Sequence, residues 1–345
     1  MLGGAELRFA RDLLARYYRV ANLRLPKDLA LREFAFQTLD QGVYVRHMSF
    51  ASEAELRGYL VLNTPRQAYY SAAKYSNPAA QSYEDAGWMG SEIMFDIDAD
   101  KLPGCTTRVL GDGVELVGEE CLGLAKEALG RLVYVLLEHM GFAKEELLIY
   151  FSGSRGFHVV VATEDPDWLT LRQVHRLEIA EYLSARSLDL GRLLKRAVRV
   201  GRSSITPAPP TERDGGWRSL VARFHGGLDI DEGVIQRIAV PVDPLVTQDV
   251  SRLVRIPNSV NGKSGLVARP VDPDRVGDFD VGEAKVFEGY AIVVPRVSFE
   301  GSIYGTRVRL SEGERTRVDL QTALYLVLNG LASVVRYGVD RVRTS

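Results

Sequence analysis

The residues best placed for chemistry lie in the run EIMFDIDAD, which occupies residues 92–100 and carries aspartates at 96, 98 and 100. In a β-strand, side chains two residues apart point to the same face and lie about 7 Å apart, so Asp96 and Asp98 project together. Two neighbouring ionised carboxylates repel each other unless a cation lies between them, and Mg²⁺ or Mn²⁺ suits such oxygen ligands. The run predicts a metal site, and the alternative is a pair of solvated acids at a strand end.

A second segment, YFSGSRGFHVVV at 150–161, combines two hydroxyls, a guanidinium and an imidazole around a tight turn. The two glycines of this segment let the backbone approach a ligand closely. Turn N–H groups together with Ser152, Ser154, Arg155 and His158 would suit a polyphosphate. The alternative is an ordinary polar turn.

The third segment, VDPLVTQDVSRLVRIPNSVNGKSGL at 242–266, places an acid ahead of three bases. Its GKS is not a phosphate-binding P-loop, because the required glycine five positions before Gly262 is Pro257. Asp243 for a metal, with Arg252, Arg255 and Lys263 for phosphates, would suit phosphoryl transfer. Ordinary surface charge is the alternative.

Strands and helices must position these segments, and apolar periodicity indicates where they lie. Leucines and alanines at helical spacing predict a strong helix over 119–141, preceded by a glycine-rich loop at 101–118. A second long helix is expected over 318–338. Strands are expected at 92–98, 147–153 and 157–163, the last two joined as a hairpin.

Because strands and helices mix without a regular βαβ alternation, the predicted fold class is α+β, with mixed sheets flanked by helices. Residues 166–202 are expected to be helical, and 206–217 form a Pro/Gly-rich loop. We therefore expect a small helical insertion at 166–217 between the two parts of one catalytic domain, 1–165 and 218–345.

Composition limits the class of protein. The chain has 345 residues, 46% of them hydrophobic and 26% charged, which is typical of a soluble globular protein. It has no apolar run of about 20 residues and no signal-peptide pattern, so an intracellular, cytoplasmic protein without membrane contact is expected. The net charge of −2 leaves any nucleic-acid contact to local patches.

The order of the motifs resembles the catalytic small subunit of archaeal and eukaryotic DNA primases. The resemblance extends over most of the chain, and five blocks carry it: REFAFQ (32–37) with VRHMSF (45–50), MFDIDAD (94–100), SGSRGFH (152–158), VTQDVSRLVRIPNSVNGKSGL (246–266) and TALYLVLNGLASVV (322–335). Each block is moderately specific alone, and five in order are highly specific. The resemblance implies the primase-polymerase fold.

The resemblance also implies residue roles. Asp96, Asp98 and Asp243 would be the catalytic acids and would hold two Mg²⁺ or Mn²⁺ ions. The incoming nucleoside triphosphate would be held by polar and basic residues, with Ser264 as a further helper: Ser152, Ser154, Arg155, His158, Arg255, Asn261 and Lys263.

The activity implied is template-directed synthesis of short primers on single-stranded DNA, by a small subunit that forms a heterodimer with a large primase subunit. Nucleoid association would follow from that role. Two alternatives remain open: a repair- or plasmid-type primase-polymerase, and a non-catalytic nucleotide-binding subunit with the same fold.

The sequence departs from the family pattern at two places. The family usually has histidine where this chain has Asn261, and an amide can donate a hydrogen bond but cannot carry charge. The family often has a Cys/His zinc knuckle after the metal strand, whereas this stretch holds only Cys105 and Cys121. Structural zinc is therefore not expected, although acids could complete a site. A disulfide or two free thiols are the other possibilities.

A local basic patch lies in GRLLKRAVRVGRS at 191–203. If this stretch is helical, its basic side chains share one face and could contact template or primer phosphates; a solvated helix face is the alternative. The residues concerned are Arg192, Lys195, Arg196, Arg199 and Arg202.

Overall fold

A computed structural model describes the chain over residues 2–111, 113–186, 188–194, 197–200, 204–207, 209–227 and 229–344. It is a mixed α/β structure with several small antiparallel sheets and packed helices. Along the described residues, every helix is too short or too polar to cross a membrane.

The strands, in chain order, are β1 Phe34–Gln37, β2 Tyr44–Met48, β3 Gln67–Ser71, β4 Ala73–Tyr75, β5 Trp88–Ser91, β6 Ile93–Asp98, β7 Thr107–Leu110, β8 Val114–Val117, β9 Leu147–Phe151, β10 Gly156–Val161, β11 Ala197–Val200, β12 Ser204–Pro207, β13 Leu253–Arg255, β14 Phe287–Pro295, β15 Phe299–Ile303, β16 Thr306–Leu310, β17 Thr316–Asp319 and β18 Ala332–Val342.

The α-helices are α1 Gly4–Val20, α2 Glu53–Asn63, α3 Tyr83–Ala86, α4 Glu119–Tyr134, α5 Pro166–Leu169, α6 Gln173–Leu183, α7 Leu190–Leu194, α8 Trp217–Phe224, α9 Glu232–Ile238, α10 Pro244–Gln248 and α11 Leu320–Leu328. A π-helical turn, Val135–His139, continues α4, and short 3₁₀ turns lie at Leu29–Leu31, Ala99–Lys101, Lys144–Glu146, Pro273–Asp278 and Val281–Ala284.

Two sheets frame the middle of the molecule. Strand β10 lies between β6 and β9, and a second sheet has the order β13-β3-β1-β2. The buried Arg32 guanidinium connects them: it donates to the carbonyl of Ala72 at 2.7 Å and pairs with Glu92 at 2.7 Å. A buried arginine is stable only when its donors are satisfied, as they are here. The two sheets therefore meet at the start of the strand that carries Asp96 and Asp98.

The predicted helix over 119–141 is present as α4 and its π-helical continuation. Its expected apolar stripe is buried: Leu122, Ala125, Leu129, Leu132 and Leu136. The helix packs on β6 and β10, so it covers one face of the sheet. Since the side chains of Phe95 and Ile97 are also fully buried, the acids of β6 are left on the opposite face.

Three segments differ from expectation. The expected loop at 101–118 contains the hairpin β7–β8. The expected helix over 318–338 ends at Leu328, because Gly330 adopts φ +71° and the β-branched run that follows pairs with β14 as β18. The third segment, the insertion expected to be helical, contains the hairpin β11–β12, because valines alternate with other residues from Ala197 to Val200.

Cys105 and Cys121 form a disulfide, the second of the possibilities left open by the sequence, with Cα atoms 4.8 Å apart. The bond connects the segment before β7 to the first turn of α4, where Cys121 is fully buried. It encloses the hairpin β7–β8, whose Leu110 and Leu116 are buried.

We expect reduction of this disulfide to lower the free energy of unfolding by about 3 kcal/mol, because a cross-link of this loop length restricts the unfolded chain. Its sequence separation is 16 residues. Denaturant titrations with and without reductant measure the difference. The variant Cys105→Ala/Cys121→Ala should be insensitive to reductant. Two reactive thiols in denatured, unreduced protein would contradict the bond.

Candidate active site

The central feature is the register between β6 and β10. These strands pair antiparallel, with His158 opposite Asp96 and Gly156 opposite Asp98. Residues opposite each other in such a pair share a face, so the imidazole lies beside the acids. His158 Nε2 is 3.4 Å from Asp96 Oδ1, and its Nδ1 is 3.2 Å from the Tyr150 hydroxyl.

The third acid arrives from a distant segment. The backbone N–H of Asp243 donates to the carbonyl of Asp96 at 3.1 Å, and α10 packs against β6, so the two residues lie side by side. Asp243 also caps α10, its Oδ1 accepting from the N–H of Leu245 at 2.9 Å. Its Oδ2 is left facing Asp98 across a lysine. The structure thus brings together Asp96, Asp98 and Asp243, the acids predicted from the sequence.

That lysine is Lys101, which the sequence did not single out. Its ammonium lies 2.9 Å from Asp98 Oδ2 and 3.2 Å from Asp243 Oδ2. A cation is therefore already held between two of the three acids. As arranged, no cluster of three or more His, Cys, Asp or Glu residues that could hold a metal ion occurs among the described residues.

The acids nevertheless fit a divalent ion in their chemistry. Asp96 Oδ1 is buried and accepts no hydrogen bond, since its 3.4 Å contact with His158 Nε2 lacks hydrogen-bond geometry. An unsatisfied buried carboxylate oxygen is costly, and a bound ion would satisfy it. Asp98 and Asp243 already accept a shared cation, and all the donors are carboxylate oxygens, which Mg²⁺ and Mn²⁺ prefer.

Burial and mutual repulsion shift the ionisation of this cluster. Burial, then the charges of Asp98 and Asp243, raise the pKa of Asp96 from 3.8 to about 7, although Arg252 and Lys101 oppose the shift. Burial, with Arg255 and Arg252, lowers the pKa of His158 to about 3. His158 is therefore neutral at pH 7 and can both donate and accept a hydrogen bond.

The raised pKa of Asp96 predicts a pH-dependent stability. The folded protein binds a proton here more tightly than the unfolded chain, so this contribution is present at low pH and is lost as pH rises through about 7. We expect Asp96→Asn to be more stable than wild type at pH 8 in EDTA. The difference should grow by about 2–3 kcal/mol between pH 5 and pH 8.

Denaturant titrations at several pH values test this expectation. His158 has the opposite sign, because its lowered pKa makes the folded protein lose stability as pH falls below about 6.5. Comparing Asp96→Asn with wild type cancels that contribution, to the extent that the substitution leaves His158 unchanged. Parallel pH profiles for the two proteins would contradict the assignment.

The tight turn after β9 requires its glycines. Gly153 has φ +78°, and a Cβ there would lie 2.9 Å from the Cβ of Asn261. A Cβ at Gly156 would overlap the carbonyl oxygen of Ile97, because the backbone of the neighbouring strand β6 passes close to Gly156. The N–H of Ser152 donates to the carbonyl of Gly156 at 2.8 Å and closes the turn.

Two residues assigned from the sequence to nucleotide binding form side-chain hydrogen bonds to the backbone of this turn. The Asn261 amide donates to the carbonyl of Ser152 at 3.0 Å and accepts from the N–H of Lys263 at 3.0 Å. The Ser264 hydroxyl donates to the carbonyl of Gly153. Both side chains are buried. Their contacts in the structure are with the hairpin, which they position.

A basic pocket of about 340 Å³ lies beside the turn. Arg155 and Lys263 line it, as the sequence predicted for phosphate contacts, together with Ser154. The Arg155 guanidinium is 2.7 Å from Asp100 and 3.5 Å from Glu115. It is one-third exposed, and an incoming anion could replace these partners.

Three further residues line this pocket that were not assigned to a site from the sequence. Arg66 donates to the carbonyls of Gly262 and Leu328, which fixes its guanidinium at the pocket wall. Tyr304 and Tyr325 also line the pocket, and the buried hydroxyl of Tyr325 has no hydrogen-bond partner. Arg66 and Tyr304 lie outside the motif blocks, 16 and 18 residues from the nearest one, and Tyr325 lies within the block 322–335, which was recognised only as a helix.

Arg255 lies apart from this pocket. Its side chain is buried, donates to Gln67 and to the Tyr69 hydroxyl at 3.2 Å, and stacks 5.0 Å above the Tyr69 ring. It influences the site through His158, whose pKa it lowers. Five of the seven predicted phosphate ligands therefore form two groups: Ser154, Arg155 and Lys263 at the pocket, and His158 beside Asp96 with Arg255 acting on it. The other two, Ser152 and Asn261, are buried at the turn.

The predicted basic patch does not form one helical face. Arg192 belongs to α7, which ends at Leu194, whereas Arg199 belongs to strand β11. The remaining members, Lys195, Arg196 and Arg202, lie outside the described residues. The acids instead open to a cleft of about 650 Å³ whose lining includes Lys101 and Arg186.

Comparisons with known proteins identify the family to which the chain belongs. Residues 95–273 match the sequence profile of the family described as DNA primase small subunit. The DNA primase small subunit PriS of Aeropyrum pernix is 38% identical over 337 residues, covering 94% of this chain and 92% of its own. That of Hyperthermus butylicus is 35% identical over 364 residues, covering 94% and 96%.

Among solved structures, the chain is similar to the polymerase domain from Mycobacterium tuberculosis Ligase D in complex with DNA, with 13% identity and a TM-score of 0.39 over 81% of this chain and 88% of that one. A likeness this remote carries no argument. The profile match contains all three acids, the hairpin and Lys263, and it covers more than half of the chain. The chain therefore belongs to the DNA primase small subunit family.

Proposed function

We propose that this primase catalytic subunit starts and extends short primers on single-stranded DNA, with two Mg²⁺ or Mn²⁺ ions held by Asp96, Asp98 and Asp243. The observation that carries the proposal is the convergence of these acids from β6 and from the cap of α10 around one bound ammonium. The corresponding fold would be that of the primase-polymerases.

In the reaction, the 3′-hydroxyl oxygen of the growing strand bonds to the α-phosphorus of a nucleoside triphosphate, and pyrophosphate leaves. When bound, divalent ions would supply charge stabilisation for both the attacking and the leaving oxygens. The carboxylates must be ionised to bind them, so the Asp96 proton has to be lost first.

The phosphates of the nucleotide would bind in the basic pocket. Arg155, Lys263 and Ser154 present charged and neutral donors there, and Arg66 adds a fixed positive charge. Donors fixed before the reaction stabilise the charge of the leaving group without reorganising. Asn261 and Ser264 would act indirectly, by keeping the hairpin in place.

Template and primer would approach through the cleft onto which the acids open. Its walls come from residues 184–186, 188 and 190 and from 232–244, with Arg186 exposed. Because the chain has a net charge of only −2, contacts with DNA phosphates would depend on such local cations and on the basic segment 191–203. By family membership, the partner in the cell would be a large primase subunit.

A primer-free assay on single-stranded DNA, with labelled nucleotides and either Mg²⁺ or Mn²⁺, tests the proposal. We expect short products from wild type and none from Asp98→Asn/Asp243→Asn. Products that appear only when a primer is supplied would instead support a primase-polymerase that extends but does not start. Products from the double variant would show that Asp98 and Asp243 are not required for catalysis.

A further inference from the structure

Lys101 occupies the position between Asp98 and Asp243 where a divalent ion would share their oxygens. It ends the 3₁₀ turn Ala99–Lys101 that directly follows β6, and the turn is fixed because the N–H of Ala99 donates to the carbonyl of Arg155 at 2.8 Å. The backbone of Lys101 is fixed, whereas its flexible side chain is more than half exposed. The ammonium can therefore leave without any backbone movement.

Lys101 contacts the Oδ2 atoms of Asp98 and Asp243, which have fewer other partners than the Oδ1 atoms. Asp243 Oδ1 accepts from the N–H of Leu245 in the cap of α10, so Oδ2 is the oxygen free of the helix. Asp98 Oδ1 has the Arg155 guanidinium at 3.9 Å, and its Oδ2 has Lys101 at 2.9 Å. An ion that bridges the two acids through these Oδ2 atoms must displace the ammonium.

We propose that Lys101 is a tethered cation that fills the metal position in the nucleotide-free enzyme and leaves when the ion enters. This inference rests on the proposed function, in which Asp98 and Asp243 bind the ions. An ammonium and a divalent ion cannot share the same two oxygens closely, because they repel and because Mg²⁺ requires oxygens at about 2.1 Å. Lys101 therefore weakens metal binding until another anion is present.

A nucleoside triphosphate supplies that anion. Once its phosphates approach the acids, they offer the displaced ammonium, which has a flexible four-carbon stem, a new anionic partner. Metal loading thereby becomes coupled to nucleotide binding, and the acids stay charge-compensated between reaction cycles. The repulsion among Asp96, Asp98 and Asp243 explains why a resident cation is favourable in the free enzyme.

Manganese titrations followed by electron paramagnetic resonance, without nucleotide, test the proposal independently of activity. We expect Lys101→Met to bind Mn²⁺ about three- to tenfold more tightly than wild type, the range set by a partly exposed ion pair. Lys101→Arg keeps the charge and should bind as wild type does. Lys144→Met, which removes an exposed lysine paired with Asp274, is the matched control and should change nothing.

With a non-hydrolysable nucleoside triphosphate present, the difference between Lys101→Met and wild type should close or reverse. Equal or weaker Mn²⁺ binding by nucleotide-free Lys101→Met would overturn the proposal, as would a difference that persists with nucleotide. Asp243→Asn separates the two levels of inference. If it leaves Mn²⁺ binding unchanged, the metal assignment itself fails; if it abolishes binding while Lys101→Met has no effect, only the role of Lys101 fails.

Discussion

Asparagine in place of Asp98 or Asp243 should reduce primer synthesis by at least about 10³-fold, the upper range for losing one electrostatic partner of a transition state. Each substitution removes an oxygen that already holds a cation, Lys101, in the structure. The double variant should be little worse than either single one, because groups that act as a unit are not additive. Turnover on a primed template with saturating nucleotide measures the effect.

Asp100→Asn is the matched control, since it is the third acid of the same run. Asp100 contacts Arg155 at 2.7 Å and has no contact with Lys101 among its ion pairs. We expect it to retain most of the activity. Circular dichroism and thermal unfolding should show that all these variants fold. Full activity of Asp98→Asn, or equal losses in Asp98→Asn and Asp100→Asn, would contradict the assignment.

The strand and hairpin of the site could be predicted from the sequence because local patterns determine them. Alternating residues place Asp96 and Asp98 on one face, and the glycines at 153 and 156 mark a turn that only glycine allows. The family resemblance added Asp243. Its place beside Asp96 depends on the packing of α10 against β6 and on a backbone hydrogen bond between distant segments, which no local pattern encodes.

Other parts of the site depend on tertiary packing alone. Lys101 looks like an ordinary surface lysine in the sequence, and only the arrival of Asp243 gives it a second carboxylate. Asn261 shows the reverse: a motif position suggested a ligand, whereas its amide is used to hold the hairpin. A residue type and a spacing therefore predict which groups are chemically able to act, but not which of them remain accessible.

The C-terminal region shows the same limit for the fold. Helical periodicity correctly predicts α11, whose residues are all buried. It does not reveal that the chain continues as β18, since ASVVRYGV is apolar enough for either element. Pairing with nine residues of β14 decides for the strand, and those partners, from Phe287 to Pro295, lie 37 to 55 residues earlier in the chain. Non-local pairing here overrides the local periodicity.

Arg155→Ala should lower kcat/KM for the incoming nucleotide by about 10²–10³-fold, because it removes a fixed charged donor from the basic pocket in which we propose that the phosphates bind. The guanidinium lies between the acids and the pocket: it is 3.9 Å from Asp98 and lines the cavity with Lys263. It is therefore placed to contact the triphosphate both near the reacting phosphorus and near the leaving pyrophosphate. Arg155→Lys keeps the charge but loses the planar fork, and it should fall between wild type and alanine.

The rate of synthesis at limiting nucleotide distinguishes the role of Arg155 from that of the acids. Loss of Arg155 should appear mainly as weaker nucleotide use, whereas loss of Asp98 persists at saturating nucleotide. Arg108→Ala removes an exposed arginine from β7 that does not line the basic pocket, and it should leave kcat/KM unchanged. If Arg155→Ala matched wild type at limiting nucleotide, the phosphates would have to bind elsewhere. The second group of predicted ligands, His158 with Arg255, would then be the remaining seat, and Arg155 would serve only to hold Asp100 and Glu115 at the pocket rim.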